Sequence, residues 1–139
     1  MFYVIKMIFD QKILGYINLF ERTTRASVKD CFEEPDALIF IVQPGEIGKA
    51  IGKGGATIKK VNFKFKRKVK IIEFNQAPER FLRNLLYPMR PEVEVRVDKL
   101  VVKTANSREK GQIYGREREN FKRLKELIKR YFKLELVLE

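Results

Sequence analysis

The spacing of apolar residues predicts alternating helices and strands in the first 76 residues. Apolar side chains in the first twenty positions recur at three- and four-residue steps, which is the spacing of one helical face. They are Phe2, Ile5, Phe9, Ile13, Tyr16 and Phe20. Two short runs then flank the turn signal Glu34-Pro35-Asp36, which predicts a hairpin. The predicted elements are a helix over residues 1–20, strands Ser27–Phe32 and Ala37–Val42, helices Glu46–Ile51 and Ala56–Phe65, and a strand Val69–Phe74.

The remaining residues predict the same order of elements again, after a joint at Gln76-Ala77-Pro78. Valines that alternate with charged residues are typical of a half-exposed strand, and Ser107 is a suitable helix cap. The predicted elements are a helix Glu79–Leu86, strands Glu92–Val97 and Leu100–Thr104 joined by a turn at Asp98-Lys99, a helix capped by Ser107 that Gly111 and Gly115 interrupt or end, a helix Glu117–Phe132, and a strand Leu134–Leu138. Both halves therefore have the order α-β-β-α-α-β, and the fold class is α+β.

The two halves also agree residue by residue when the sequence is shifted by 63 positions. The matching positions are Gly48 with Gly111, Ile51 with Tyr114, Gly52 with Gly115, Lys53 with Arg116, Ile58 with Phe121, Lys59-Lys60 with Lys122-Arg123, and Val61 with Leu124. Because glycine, charged and apolar positions all agree, we interpret residues 1–76 and 77–139 as an internal repeat of one domain.

The charge balance indicates a polyanionic partner. The chain has 30 lysines and arginines against 18 acidic residues, a net charge of +12, and the excess is divided evenly between the two halves. Such an excess favours nucleic acid over an acidic membrane surface.

Several classes of site are excluded by composition. The chain has no histidine and one cysteine, Cys31, so a structural zinc site, a Ser-His or Cys-His nucleophile pair and an internal disulfide are all excluded. We expect Cys31 to be a buried apolar filler. We further expect no catalytic activity and no cofactor.

The apolar N-terminal stretch is expected to pack as a helix. No basic region precedes it and no small-residue cleavage site follows it, so it is not a signal peptide. Lys6, Asp10 and Lys12 interrupt it well short of the roughly 20 apolar residues that a membrane span requires. We expect a cytoplasmic monomer without a membrane segment.

The loop Gly52-Lys53-Gly54-Gly55 concentrates the features of an anion site. A helix that restarts after it would present backbone N–H groups that lack acceptors and carry partial positive charge. The glycines permit positive φ and leave room for a phosphate. Lys53 adds a full charge, and Lys49, Lys59 and Lys60 flank the loop. A tight helix–helix turn would explain the glycines alone, but not the basic flanks and the repeat.

Two other phosphate-binding loops do not fit. A P-loop needs four residues between its glycines and then Lys-Ser/Thr, but three residues separate Gly48 from Gly52 and a glycine follows Lys53. A dinucleotide-binding fingerprint needs glycine at Thr57 and a strand before Gly52, where a helix is predicted.

The run Ile47–Ile58 resembles the core of a KH domain, with Gly52–Gly55 as its GxxG loop. The α-β-β-α-α-β order resembles the type II variant found in prokaryotes, and two such units in tandem resemble the archaeal NusA family of transcription factors. The resemblance implies binding of single-stranded RNA, about four nucleotides per KH groove. It also implies a role near RNA polymerase in elongation, pausing, termination or antitermination.

The second unit departs from the motif, because Gly115-Arg116-Glu117-Arg118 lacks the last glycine and Glu117 would repel a phosphate. It either binds RNA more weakly through its arginines or is structural. The basic run from Lys64 to Lys70 is either a solvated rim or an extension of the RNA path, and we expect Phe63 and Phe65 to belong to the core. The candidate RNA-binding residues are Lys49, Ile51, Gly52, Lys53, Gly54, Gly55, Ile58, Lys59, Lys60, Gly115, Arg116, Arg118 and Lys122. Within this set the amides of Gly54 and Gly55 would line the phosphate, and Ile51 and Ile58 would lie under the bases.

Three other functions compete with a transcription factor. The same fold could act in ribosome assembly or ribosomal RNA processing, in which case ribosomal subunits rather than polymerase would co-purify. An RNA- or nucleotide-processing enzyme is opposed by the missing histidine, metal cluster and nucleotide loop. A protein-interaction scaffold would use the basic surface on an acidic partner and would not bind RNA in a titration.

Overall fold

The structure is a computed structural model that describes residues 2–139, with side chains described from Gln11 onward. The predicted N-terminal helix is present in the backbone, whereas the predicted packing of Phe2, Ile5 and Phe9 lies outside the described side chains. The chain divides into two compact units, Met1–Phe74 and Asn75–Glu139, called unit 1 and unit 2 below.

Unit 1 contains a three-stranded sheet and three α-helices. Its elements are α1 (Phe2–Thr24), β1 (Val28–Glu34), β2 (Ala37–Val42), α2 (Ile47–Ile51), α3 (Ala56–Phe65) and β3 (Val69–Glu73). In the sheet, β2 pairs antiparallel with β1 on one side and parallel with β3 on the other. The central position of β2 explains why all six of its residues are buried.

Aromatic side chains hold the helices of unit 1 against β2. Phe20 of α1 stacks on Phe40 of β2 with ring centroids 4.1 Å apart, and Phe65 at the end of α3 lies 5.5 Å from Phe40. Burial of a phenylalanine contributes about 1.5–3 kcal/mol. Val61 of α3 is fully buried in the same cluster. The core therefore fixes the position of α3, including its N-terminal end.

Cys31 is buried in β1, as the sequence predicted. Burial, with the neighbouring charges of Asp30 and Glu33, raises the pKa of its thiol to about 12. The thiol therefore stays protonated at neutral pH and is a poor nucleophile.

Unit 2 has the same order of elements around its own sheet. They are α4 (Pro78–Leu86), β4 (Glu92–Arg96), β5 (Lys99–Lys103), α5 (Ser107–Tyr114), α6 (Glu119–Phe132) and β6 (Glu135–Leu138). Here β5 is central, antiparallel to β4 and parallel to β6. Leu124, Leu127 and Ile128 of α6 are buried, and Phe81 of α4 meets Tyr131 edge-on at 5.8 Å. The predicted α+β class with two three-stranded sheets is confirmed.

The structure corrects three details of unit 2. The cap of α5 is Asn106, not Ser107, because the Asn106 backbone is extended and its Oδ1 accepts a hydrogen bond from the Glu109 N–H at 2.9 Å. The hairpin turn lies at Val97-Asp98, one residue earlier than predicted, since Val97 takes φ 52° and leaves the strand. Helix α6 begins at Glu119 rather than Glu117, because residues 116–118 form a 3-10 turn.

Among residues 2–139, no helix is long and apolar enough to cross a membrane.

Candidate nucleic-acid interface

Gly52–Gly55 forms a sharp connection between α2 and α3. Helix α2 ends at Ile51, Lys53–Gly55 make one 3-10 turn, and α3 begins at Ala56. Gly52 has φ 75° and ψ 168°, and Gly54 and Gly55 are left-handed at φ 62° and 77°. Three positive φ values in four residues explain why the loop is rich in glycine, since side-chain-bearing residues rarely adopt them.

The backbone amides of this loop have different roles. The Gly55 N–H donates to the Gly52 carbonyl oxygen at 3.1 Å, and the Ala56 N–H donates to the Lys53 carbonyl oxygen. Within residues 2–139, the amides of Lys53 and Gly54 have no hydrogen-bond acceptor, and both residues are exposed. Of the two amides predicted to line a phosphate, the Gly55 amide is already used within the turn, whereas the Gly54 amide and the neighbouring Lys53 amide are available.

The two predicted apolar residues lie on either side of the loop. Ile51, the last residue of α2, is 41% exposed, while the neighbouring Ala50 is fully buried and anchors the helix. Ile58, in the first turn of α3, is partly buried against the core. An apolar surface therefore exists beside the exposed amides.

The cations around the loop differ in how well they are neutralised. Lys49 pairs with Glu46 at 2.9 Å, and Glu46 also accepts a hydrogen bond from the Ser27 N–H. Both contacts lower the pKa of the Glu46 carboxyl below its usual value, and the contact with Lys49 has the larger effect. Lys53, Lys59 and Lys60 are exposed and form no ion pair in the described part of the chain, so they offer full charges to an anion.

The sequence from Ile47 to Ile72 contains nine lysines and arginines and no acidic residue. Arg67 is held by Glu33 at 3.2 Å, and Lys70 lies 3.9 Å from Glu34. Apart from Glu46, which holds Lys49, these acidic partners belong to β1 and contact residues that follow the C-terminal end of α3, away from the loop. The helix start and its lysines form a continuous region of uncompensated positive charge.

Phe63 and Phe65 were both predicted to be core residues, and the structure supports only Phe65. Phe65 packs on Phe40, whereas Phe63 is 81% exposed. The signal was present in the spacing, since residues two positions apart on a helix do not share a face. Val61 and Phe65 both face the core, so Phe63 between them must face solvent.

The loop of unit 2 repeats the backbone conformation of the first with different residues. Gly115 has φ 69° and ψ −177°, and Glu117 and Arg118 are left-handed at φ 54° and 61°. The Arg118 N–H donates to the Gly115 carbonyl oxygen at 3.2 Å, as the Gly55 amide does to Gly52. The tertiary fold therefore imposes the geometry on residues that do not favour it.

The side chains of the second loop give it a different surface. The Arg118 guanidinium lies 4.8 Å from the ring centroid of Tyr114, and Lys122 pairs with Glu119 at 3.8 Å. Arg116 and Glu117 are exposed. The predicted cations are present, but two of them are already engaged and an acidic side chain lies between the arginines.

The cost of the left-handed residues in the second loop can be measured. Glu117→Gly is expected to stabilise unit 2 by about 0.5–1 kcal/mol, because the αL penalty of about 1–2 kcal/mol exceeds the extra chain entropy of glycine. Gly54→Ala should destabilise unit 1 by a similar amount. No atom lies within 4 Å of the added Cβ, so the only cost is that of holding alanine in a left-handed conformation. Equilibrium urea denaturation measures both.

The matched control is Arg116→Gly. Arg116 is not among the residues with positive φ, so glycine there gains nothing and should be mildly destabilising. Equal effects of glycine at positions 116 and 117 would contradict the αL explanation.

The chain is similar to known KH domain and NusA proteins. The KH domain model matches residues 15–103. A Methanocaldococcus jannaschii protein named "Probable transcription termination protein NusA" is 34% identical over 122 residues, which cover 85% of this chain and 67% of that protein. A Halobacterium salinarum protein of the same name is 31% identical, with coverage of 86% and 88%. A Methanococcus vannielii protein of that name is 38% identical over 76 residues, 55% of this chain and 44% of its own length.

A solved structure is also similar. The crystal structure of APE1850 superposes with a TM-score of 0.66 at 29% sequence identity, and the match covers 93% of this chain and 99% of that one.

Proposed function

Because the chain belongs to the KH domain family, as a NusA-like member of it, we propose that it is a single-stranded RNA-binding factor that acts in transcription. The observation that carries the proposal is the loop Gly52–Gly55. The amides of Lys53 and Gly54, two exposed residues, have no acceptor among the described residues, and Lys53, Lys59 and Lys60 form no ion pair there. Two neighbouring amide donors and a full positive charge suit a phosphate oxygen.

In the proposed mechanism the protein binds and performs no catalysis. One phosphate of the strand accepts hydrogen bonds from the amides of Lys53 and Gly54, while the hydrogen bond from the Gly55 N–H to the Gly52 carbonyl oxygen fixes the turn. Lys53, Lys59 and Lys60 neutralise this phosphate and its neighbours, and Lys49 contributes less because Glu46 holds it. Bases then lie over Ile51 and Ile58, which form the apolar floor of the groove.

We propose that both halves, residues 1–76 and 77–139, are KH domains of the type II order. The repeated backbone conformation at Gly52–Gly55 and Gly115–Arg118 supports this division. The second domain would bind RNA more weakly, through Gly115, Arg116, Arg118 and Lys122, since the exposed Glu117 between the two arginines would repel a phosphate. The proposed partner besides RNA is RNA polymerase, by analogy with the relatives' name, and the proposed process is elongation, pausing, termination or antitermination.

A salt titration tests the electrostatic part of the proposal. If Lys53, Lys59 and Lys60 each neutralise one phosphate, log Kd for a single-stranded RNA should depend on log salt with a slope of magnitude about 2, since each phosphate contributes about 0.7. Lys59→Gln should reduce this magnitude by about 0.7. Fluorescence anisotropy at several salt concentrations measures it.

Lys12→Gln is the control. Lys12 on α1 forms an ion pair with Glu33 at 3.0 Å, so its replacement should leave the slope unchanged. A slope insensitive to Lys59, or no binding of RNA, would refute the RNA path. Co-purification from cells tests the process: polymerase is expected, and ribosomal subunits in its place would move the protein to ribosome assembly.

A further inference from the structure

An exposed phenylalanine on α3 is not explained by the fold. Phe63 is 81% exposed, although most large apolar side chains of unit 1 with described positions are buried or half-buried. It lies on the side of α3 opposite Val61, which is fully buried. A ring in this position contributes nothing to the core of unit 1.

The repeat shows that the helix does not need an apolar residue there. Shifting by 63 positions places Glu126 of α6 at the position of Phe63, and Glu126 is exposed. A charged residue therefore satisfies the same place on the corresponding helix. Only unit 1 has a phenylalanine at this position, and only unit 1 keeps the last glycine of the GxxG loop before the following helix.

The surroundings of Phe63 specify the chemistry of a partner. Lys59 and Lys60 lie one turn before it on the same side of α3, and Lys66 is the left-handed residue that directly follows the helix. These lysines are exposed and form no ion pair among the described residues. A flat apolar ring between uncompensated cations suits a ligand that carries negative charges and flat faces along its length, and a single-stranded nucleic acid has both.

We propose that Phe63 stacks on a base of the same RNA strand whose phosphate lies at Gly52–Gly55, with Lys59 and Lys60 along the strand between them. This inference rests on the proposed function of the loop. Phe63 is seven residues along α3 from Ala56, roughly 10 Å at the rise of an α-helix. Because Phe63 lies on the solvent face of α3, opposite the buried Val61, we place this contact beyond the groove of about four nucleotides that a KH domain holds.

The test compares Phe63 variants on a four-nucleotide and a twelve-nucleotide RNA by fluorescence anisotropy. Phe63→Ala should leave the affinity for the short RNA unchanged and weaken binding of the long RNA by about 5- to 100-fold, the range seen when one stacking aromatic is removed. Phe63→Tyr should retain the affinity, and Phe63→Leu should lose it, because the ring rather than the apolar volume stacks on the base. The urea midpoint should not change, since the side chain is exposed.

Separate outcomes overturn the inference and the proposed function. If Gly54→Asp abolishes binding of both RNAs while Phe63→Ala binds the long RNA as the wild type does, the inference fails and the loop site stands. Equal loss on both RNAs would overturn the proposed position of the contact beyond four nucleotides, and retention of affinity by Phe63→Leu would overturn base stacking. If neither Gly54→Asp nor Phe63→Ala changes the affinity for either RNA, both proposals fail. Binding of an acidic protein that is lost in Phe63→Ala would then assign this surface to protein binding.

Discussion

Gly54→Asp is expected to weaken binding of single-stranded RNA about 100-fold, because it places a carboxylate beside the proposed phosphate. The Gly54 amide lacks an acceptor within residues 2–139 and the residue is exposed at the loop tip. A side chain at this position has no atom within 4 Å of its Cβ, so it projects into the space that the ligand would occupy. Repulsion and the lost hydrogen bond to a charged group then act together.

The same substitution should cost the fold little. Gly54 has φ 62° and ψ 20°, a left-handed conformation that aspartate and asparagine tolerate better than other side-chain-bearing residues. Gly54→Asn is therefore the matched control, since it has the same shape and backbone preference without the charge. Equal affinities of the Asp and Asn variants would show that charge at residue 54 is irrelevant, and wild-type affinity of the Asp variant would refute the loop assignment.

Most of the fold was predictable because burial sets the periodicity of the apolar residues. The run Ala37–Val42 was recognisable as a strand buried along its length, and its bounds match those of β2. Helix α3 was likewise predicted over Ala56–Phe65, because Ile58, Val61 and Phe65 keep helical spacing up to the end. The sequence-based resemblance to KH domains and to archaeal NusA proteins is confirmed by the family match and the relatives.

Details that depend on single hydrogen bonds were less predictable. Ser107 and Asn106 are both good helix caps, and only the Asn106 contact to the Glu109 amide decides between them. The Gly55 amide was predicted to face the ligand, yet the loop closes on itself by a bond to Gly52. Nothing in the residues Glu117 and Arg118 indicates left-handed backbone, because the neighbouring helices of unit 2 impose it.

Gly52→Ala should be the most destabilising change in the loop of unit 1, lowering the free energy of unfolding by about 2–4 kcal/mol. The pair φ 75° and ψ 168° lies in a region that only glycine populates. A Cβ there would also overlap the Thr57 hydroxyl and lie 2.8 Å from the Thr57 backbone nitrogen. Thr57 belongs to the first turn of α3, so relief of this overlap would displace the helix start that presents the phosphate site.

Gly115→Ala in unit 2 should behave in the same way, since its Cβ would lie 2.7 Å from the Cβ of Asn120. Moving Asn120 would also strain the hydrogen bond from its side-chain amide to the Ile113 carbonyl oxygen, at 3.0 Å. The controls are Gly48→Ala and Gly111→Ala, which lie within α2 and α5 with nothing within 4 Å of the added Cβ.

Alanine at these two helical positions should leave stability unchanged or raise it by up to about 1 kcal/mol. Urea denaturation should show a loss of stability for the two loop variants, Gly52→Ala and Gly115→Ala, and none for the two helix variants. Comparable losses at Gly48 and Gly52 would mean that alanine disturbs the loop generally. Wild-type stability of Gly52→Ala would mean that the turn before α3 is not held in the glycine-only conformation on which the exposed amides of Lys53 and Gly54 depend.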